Sequence, residues 1–163
     1  MQDGHFPQDA FVGGEVERTK HIFVARAKHD NGLQPCQLKE GHCGAQMPYG
    51  GEGKNMPNYE VLANSSDLHW KSIIVGGLPA DALKTGEEAN GSALYTVKYV
   101  VSGTKYIGKY NGFDKAYFVI DGKEKEILSG ELKILCFREF VQKEKVSMKA
   151  SSSSPIFYFR YGN

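Results

Sequence analysis

Gly86-Glu87-Glu88-Ala89-Asn90-Gly91-Ser92-Ala93-Leu94-Tyr95-Thr96-Val97-Lys98-Tyr99 is a polar turn feeding an alternating strand, and its reading decides the fold. A counterpart lies 72 positions upstream: Gly14-Glu15-Val16-Glu17-Arg18-Thr19-Lys20-His21-Ile22-Phe23-Val24-Ala25-Arg26-Ala27. At that offset Gly4 meets Gly76, Pro7 meets Pro79, Asp9 meets Asp81 and Ala10 meets Ala82. Ile22 aligns with Leu94, Phe23 with Tyr95 and Arg26 with Lys98. Chance rarely sets Gly, Pro, Asp and Ala in register so often over so short a span. The chain is a tandem repeat, and its period governs every other reading.

Outward from that stretch the dominant period is two, and helical signals are scarce. Tyr95, Val97, Tyr99 and Val101 form one face of a strand, and Thr96 and Lys98 the other. Residues 22–27, 59–62, 71–75, 116–120, 132–137 and 146–150 read alike. Asp30-Asn31-Gly32, Tyr49-Gly50-Gly51, Asn111-Gly112, Asp121-Gly122 and Ser129-Gly130 are turn signals between them. The expected fold is all-β: two pseudo-symmetric repeats of short antiparallel strands, packed as β-sandwich-like halves. Neither half holds enough apolar residues to cover both faces of its own sheet, so the halves must pack on each other. Whether they are also strand-swapped stays open. The first repeat spans 4–72, the second 73–140. The extension 141–163 reads as an edge strand over 141–149, a flexible Ser151-Ser152-Ser153-Ser154 link and an aromatic tail, 155–161, that docks on the body or on a second subunit.

Composition bounds the partners. The 163 residues are 40% hydrophobic, enough for a core, and carry a formal net charge of +1. Such a balance creates no field to draw nucleic acid or an anionic membrane. No run of about 18 apolar residues is present, so no transmembrane segment is expected. Met1-Gln2-Asp3-Gly4-His5 has neither a basic nor an apolar leader region, which predicts a cytoplasmic protein, vesicle-associated or secreted non-classically. Cys36, Cys43 and Cys136 are an odd set without zinc or redox spacing and are expected as buried free thiols. Asn64-Ser65-Ser66 and Asn90-Gly91-Ser92 fit the glycosylation sequon but are read as incidental.

Several fragments together resemble the DM-nine repeat family: Gly76-Gly77-Leu78-Pro79-Ala80-Asp81-Ala82, Phe23-Val24-Ala25-Arg26-Ala27, Met47-Pro48-Tyr49-Gly50-Gly51-Glu52 and Tyr59-Glu60-Val61-Leu62. Trp70 stands shortly before the second Gly-Gly-x-Pro, as in the family pattern. The resemblance spans about residues 4–137. It implies an all-β, mannose-binding lectin that self-associates and serves pattern recognition in innate immunity. It also implies sugar contacts from an acidic residue before the Leu-Tyr strand and a Lys in the following Pro-Gly-Lys segment. In the second repeat those places fall on Asn90 and Lys109, and in the first on Arg18 and Gln37. The second site thus keeps its lysine with an amide for a carboxylate, while the first has lost both chemical types. Conversely, the Tyr-Gly-Gly-Glu turn is intact at residues 49–52 and decayed in the second repeat to Ile120-Asp121-Gly122-Lys123-Glu124.

A hexose needs a donor beside an acceptor and often an aromatic ring against its C–H face. Asn90 offers both polarities and Lys109 three donors, with Tyr95, Tyr106 and Tyr110 close in sequence. The bland alternatives are that Asn90-Gly91 is simply a type I′ turn and Lys109 a strand-edge charge. One shallow site gives about millimolar affinity, on the order of −4 kcal/mol. Useful avidity therefore predicts a homo-oligomer.

Enzyme signatures are missing. Residues 49–54 only faintly suggest a phosphate loop, with Pro48 and Asn55 at positions where a Gly and a Ser or Thr belong. His29, Cys36, His42 and Cys43 match no closed metal set, and no cofactor is expected. The competing function is an intracellular or vesicle-associated protein-interaction scaffold that has lost sugar binding. It is suggested by the altered first site, the odd cysteines and the aromatic tail.

Overall fold

The computed structural model describes residues 10–15, 20–63, 68–137 and 159–161. The fold is all-β. Its strands are β1 (Val12–Glu15), β2 (His21–His29), β3 (Gly32–Lys39), β4 (Ala45–Tyr49), β5 (Glu52–Met56), β6 (Glu60–Leu62), β7 (Leu68–Ile74), β8 (Lys84–Glu87), β9 (Ala93–Val101), β10 (Thr104–Tyr110), β11 (Ala116–Ile120), β12 (Lys123–Ile127), β13 (Glu131–Phe137) and β14 (Phe159–Tyr161). Positive backbone φ at Asp30 and Asn31, Gly50 and Gly51, and Asp121 and Gly122 makes tight hairpins where the turn signals predicted them. The β9–β10 hairpin turns at Ser102 and Gly103, a pair the sequence reading passed over.

Strands β3, β4, β5, β12, β11, β10, β9 and β8 pair in that order, and β8 returns to β3 through Leu33 and Glu87. This antiparallel ring is closed and barrel-like. Three of its strands come from the first repeat and five from the second. The remaining strands extend from it: β2, β6 and β14 beyond β3, and β13 and β7 beyond β9, with β1 on β2.

Hydrogen bonds relate the two copies by a pseudo-dyad. Glu52 and its counterpart Lys123 pair with each other. On either side of them Gly53 N donates to Gly122 O at 3.0 Å, and Glu124 N to Gly51 O at 3.3 Å. Phe11 N donates to Leu62 O as Leu83 N does to Leu135 O. Arg26 Nη1 donates to Thr85 O at 3.3 Å, and its counterpart Lys98 donates through Nζ to Gly13 O at 2.8 Å. Each copy therefore grips the first strand of the other.

The copies also exchange strands. β7 follows β6 in the chain but pairs along its whole length with β13. β14 follows β13 but pairs with β6. The expected docking of the aromatic tail on the body is thus seen for residues 159–161. The expected edge strand over 141–149 and the serine link lie outside the described residues.

Three apolar clusters follow from this weave. One belongs to the first copy (Phe23, Ala25, Leu38, Met47, Val61) and one to the second (Val97, Tyr110, Phe118, Ile134). The third joins the copies through Ile22, Val24, Leu62, Leu83, Ile107 and Leu135. In β2, Ile22 and Val24 face the shared cluster and Phe23 and Ala25 the first, so both faces are buried. β9 follows the predicted alternation only as far as Tyr99. Thr96 is buried and shares a hydrogen bond with Thr85, Oγ1 to Oγ1, at 2.8 Å, while Val101 is 39% exposed because the strand outruns the core. The cysteine expectation holds for Cys36 and Cys136, which are buried; Cys43 is exposed, in the turn leading to β4.

Candidate functional site

Lys109 lies near the C-terminal end of β10, opposite Thr96 on β9 and Tyr117 on β11. Only 4% of it is exposed. A buried ammonium needs partners, and its surroundings supply them. Nζ donates to Gln34 Oε1 on β3 at 2.5 Å. It also sits 5.0 Å from the ring centroid of Tyr49 and 5.4 Å from that of Tyr117. The other end of the Gln34 amide donates through Nε2 to Glu88 Oε1 at 3.0 Å. Glu88, Gln34 and Lys109 thus form one relay, in which a buried amide (1% exposed) holds a carboxylate and an ammonium in fixed relation.

The electrostatics follow. Burial pushes the Lys109 ammonium below its ordinary range, and the Glu88 and Glu124 carboxylates pull it back up. Burial and the neighbouring Asp30 carboxylate hold the Tyr49 phenol above its usual value. Tyr49 is further positioned by its hydroxyl, 3.4 Å from Asp30 Oδ2, and by the edge-on ring of His29 at 4.4 Å. The turn after Tyr49 is tied down by Gly51 N, which donates to Glu124 Oε1 at 2.6 Å.

The site is composite. Gln34 and Tyr49 come from the first copy, while Glu88, Lys109, Tyr117 and Glu124 come from the second. The intact Tyr-Gly-Gly-Glu turn of one repeat and the retained lysine of the other therefore meet at the same place. Sequence reasoning singled out both features but assigned them to separate halves. It missed Gln34, Glu88, Tyr49 and Tyr117 as neighbours of Lys109, because the link between them is the packing of β3 against β10. Tyr110, offered as a sugar-facing ring, is fully buried, with its hydroxyl donating to Gly77 O and accepting from Gly76 N. Tyr95 and Tyr106 pack on the second-copy core.

Asn90 is exposed in the turn between β8 and β9. Its Oδ1 accepts from Ser92 N at 2.9 Å, and among the described residues it shares no hydrogen bond with Lys109. The turn is not type I′: Gly91 N donates to Glu88 O at 2.8 Å, and only Gly91 has positive φ. That turn places Asn90 two residues from the Glu88 end of the relay.

In the first copy, Gln37 occupies the place of Lys109. It is 1% exposed, accepts from Ile107 N at 2.8 Å through Oε1, and donates to Gln46 Oε1 at 3.2 Å through Nε2. Both ends are engaged in joining strands. Arg18 lies outside the described residues. Among the described residues no group of three or more His, Cys, Asp or Glu side chains could hold a metal ion. Among the described residues no helix is long and apolar enough to cross a membrane.

The two interlocked all-β repeats meet at a polar relay set between aromatic rings. The DM9 repeat model matches residues 1–56 and, in a second overlapping match, 16–127; the chain belongs to the DM9 repeat family. That family is one of lectin-like, carbohydrate-binding modules and not of enzymes. No curated protein matches the chain.

Proposed function

We propose that this protein is a lectin that binds mannose-type glycans at the Lys109 site and serves pattern recognition in innate immunity. One observation carries the reading: the Lys109 ammonium lies within 5.0 Å and 5.4 Å of two tyrosine ring centroids and is joined through Gln34 to the Glu88 carboxylate. A hexose hydroxyl can accept from the ammonium and donate to the carboxylate, and its C–H face can lie on a ring. Asn90 adds a second polar group at the exposed edge. Gln37 is already hydrogen-bonded at both ends, so the proposal holds one working site per chain. Several chains are then needed for avidity, which makes a homo-oligomer part of the proposal. So is export from the cell, since the glycans lie outside it.

Retention on mannan-agarose tests the site. Lys109→Met is expected to lose retention and Asn90→Ala to weaken it; undiminished retention of both variants rules this site out. The scaffold reading is favoured by a different feature: Leu78, 43% exposed, and Phe113, 73% exposed, are large apolar side chains on neighbouring loops. A glycan array without hits, together with a protein partner lost on Phe113→Ser, would select it.

A further inference from the structure

A cleft of about 350 Å³ opens beside β2 and β6, with Arg26, Ala27, Leu33, Met56, Tyr59 and Glu60 among its walls. The pseudo-dyad says what is missing from it. Ala27 pairs with Gln34 as Tyr99 pairs with Tyr106, so Ala27 and Tyr99 are equivalent. In the second copy the Tyr99 ring fills its place, with its centroid 5.3 Å from that of Phe118. In the first copy a methyl group stands where the ring would start, and Met47 stands where Phe118 would lie against it. The same position thus carries a phenol ring in one copy and a methyl group in the other, and that methyl group is part of the cleft wall. The cleft volume is at the small end for ligand pockets.

The rim differs in a matching way. Arg26 and Glu60 pair across β2 and β6, with Nε 2.8 Å from Oε1, and both are about a quarter exposed. Their equivalents in the second copy, Lys98 and Lys133, are two like charges. The first copy therefore has a methyl group in place of the ring and a carboxylate acceptor at the edge of the cleft. A hydroxylated ring entering the cleft would find apolar contact from Ala27, Leu33, Met56 and Tyr59, and an acceptor in Glu60.

We infer that this cleft is a binding site for a single phenol ring, presented either by a free phenolic compound or by a tyrosine side chain. Its walls include none of Gln34, Tyr49, Glu88, Lys109 and Tyr117, and the inference does not rest on the proposed sugar site. The probes are p-cresol and N-acetyl-tyrosinamide, titrated into the full-length chain and followed by calorimetry and by ligand-detected NMR. At least one is expected to bind with a stoichiometry of one and an affinity of roughly 1–10 mM, as befits so small a ligand. Tighter p-cresol points to free phenolics, and tighter N-acetyl-tyrosinamide to a tyrosine on a polypeptide. Ala27→Tyr should abolish the binding by filling the cleft from within. Tyr99→Ala should open a second cleft and raise the stoichiometry to two, a gain that loss of folding cannot imitate. Failure of both probes to bind the wild type overturns the inference, as does unchanged binding in Ala27→Tyr. So does methyl α-mannoside, rather than a phenol, being the ligand that Ala27→Tyr excludes.

Discussion

Positions 37 and 109 are the same place in two copies of one unit, and they do different work. Both are buried, and both reach between β3 and β10. Gln37 uses its two polar ends to satisfy a backbone N–H and a neighbouring amide, so its surroundings are closed. Lys109 brings a charge, with two rings, an amide and a carboxylate gathered around it. In sequence each repeat looks half decayed, one keeping the aromatic turn and the other the lysine. In the fold those two remnants meet at one candidate site. A site built across a pseudo-dyad has to be read across copies.

The largest expected effect tests the scaffold that the copies share. Gly14 and Gly86 are equivalent, but a Cβ at Gly86 would collide with the backbone oxygen of Leu33, whereas at Gly14 it would meet the flexible Lys105 side chain at 3.2 Å. Gly86→Ala should destabilise the protein by about 3 kcal/mol or more, and Gly14→Ala by less than about 1 kcal/mol, in urea unfolding. Equal losses would mean that β8 does not close the ring against β3.

Next come the two polar positions. Gln37→Ala leaves the Ile107 N–H buried without its acceptor and should cost about 1–3 kcal/mol of stability, with mannan retention unchanged. Lys109→Met should weaken glycan binding at least tenfold, about 1.4 kcal/mol. Loss of retention in the Gln37 variant, once corrected for unfolded protein, would make the sites alike and break the comparison.

A smaller effect distinguishes Lys98 from its equivalent Arg26. Burial, with Lys105 and Lys133 nearby, lowers the Lys98 ammonium to about 8 from its ordinary value of 10.5. Between those values the unfolded chain keeps a proton that the folded chain has released, so this group's contribution to stability rises with pH. The melting temperature of the wild type minus that of Lys98→Met should therefore increase from pH 8 to pH 10. A flat difference would remove the burial argument. The smallest perturbation is labelling by iodoacetamide at pH 8: exposed Cys43 should react in the native state, while Cys36 and Cys136, whose thiols burial pushes up to about 12, should react only on unfolding.

Much of the fold was legible because its signals are local. The offset of 72 brought Arg26 opposite Lys98, and those side chains make equivalent bonds to Thr85 and Gly13. Asp30-Asn31 and Asp121-Gly122 turned where their residue types demand it. Strand exchange was posed but not decided, because nothing local in residues 68–74 says that they pair with β13 instead of β6. The alternation of 95–101 misjudged Val101 for a related reason: period two gives a face but not the point where the core ends. At the candidate site Lys109 stands out by its motif, while Gln34 and Glu88 do not, since an amide relay 54 residues apart leaves no spacing to read.

The central claim is that one lysine-centred site, assembled from both copies, takes a sugar while its pseudo-equivalent does not. Titration of the isotopically labelled chain with methyl α-mannoside, followed by amide NMR, tests it directly. The account predicts saturation at one sugar per chain, with shifts gathered at Gln34, Tyr49, Glu88, Lys109 and Tyr117 and absent in Lys109→Met. Two sugars per chain, or shifts centred on Gln37 and Gln46 that persist in Lys109→Met, would contradict it.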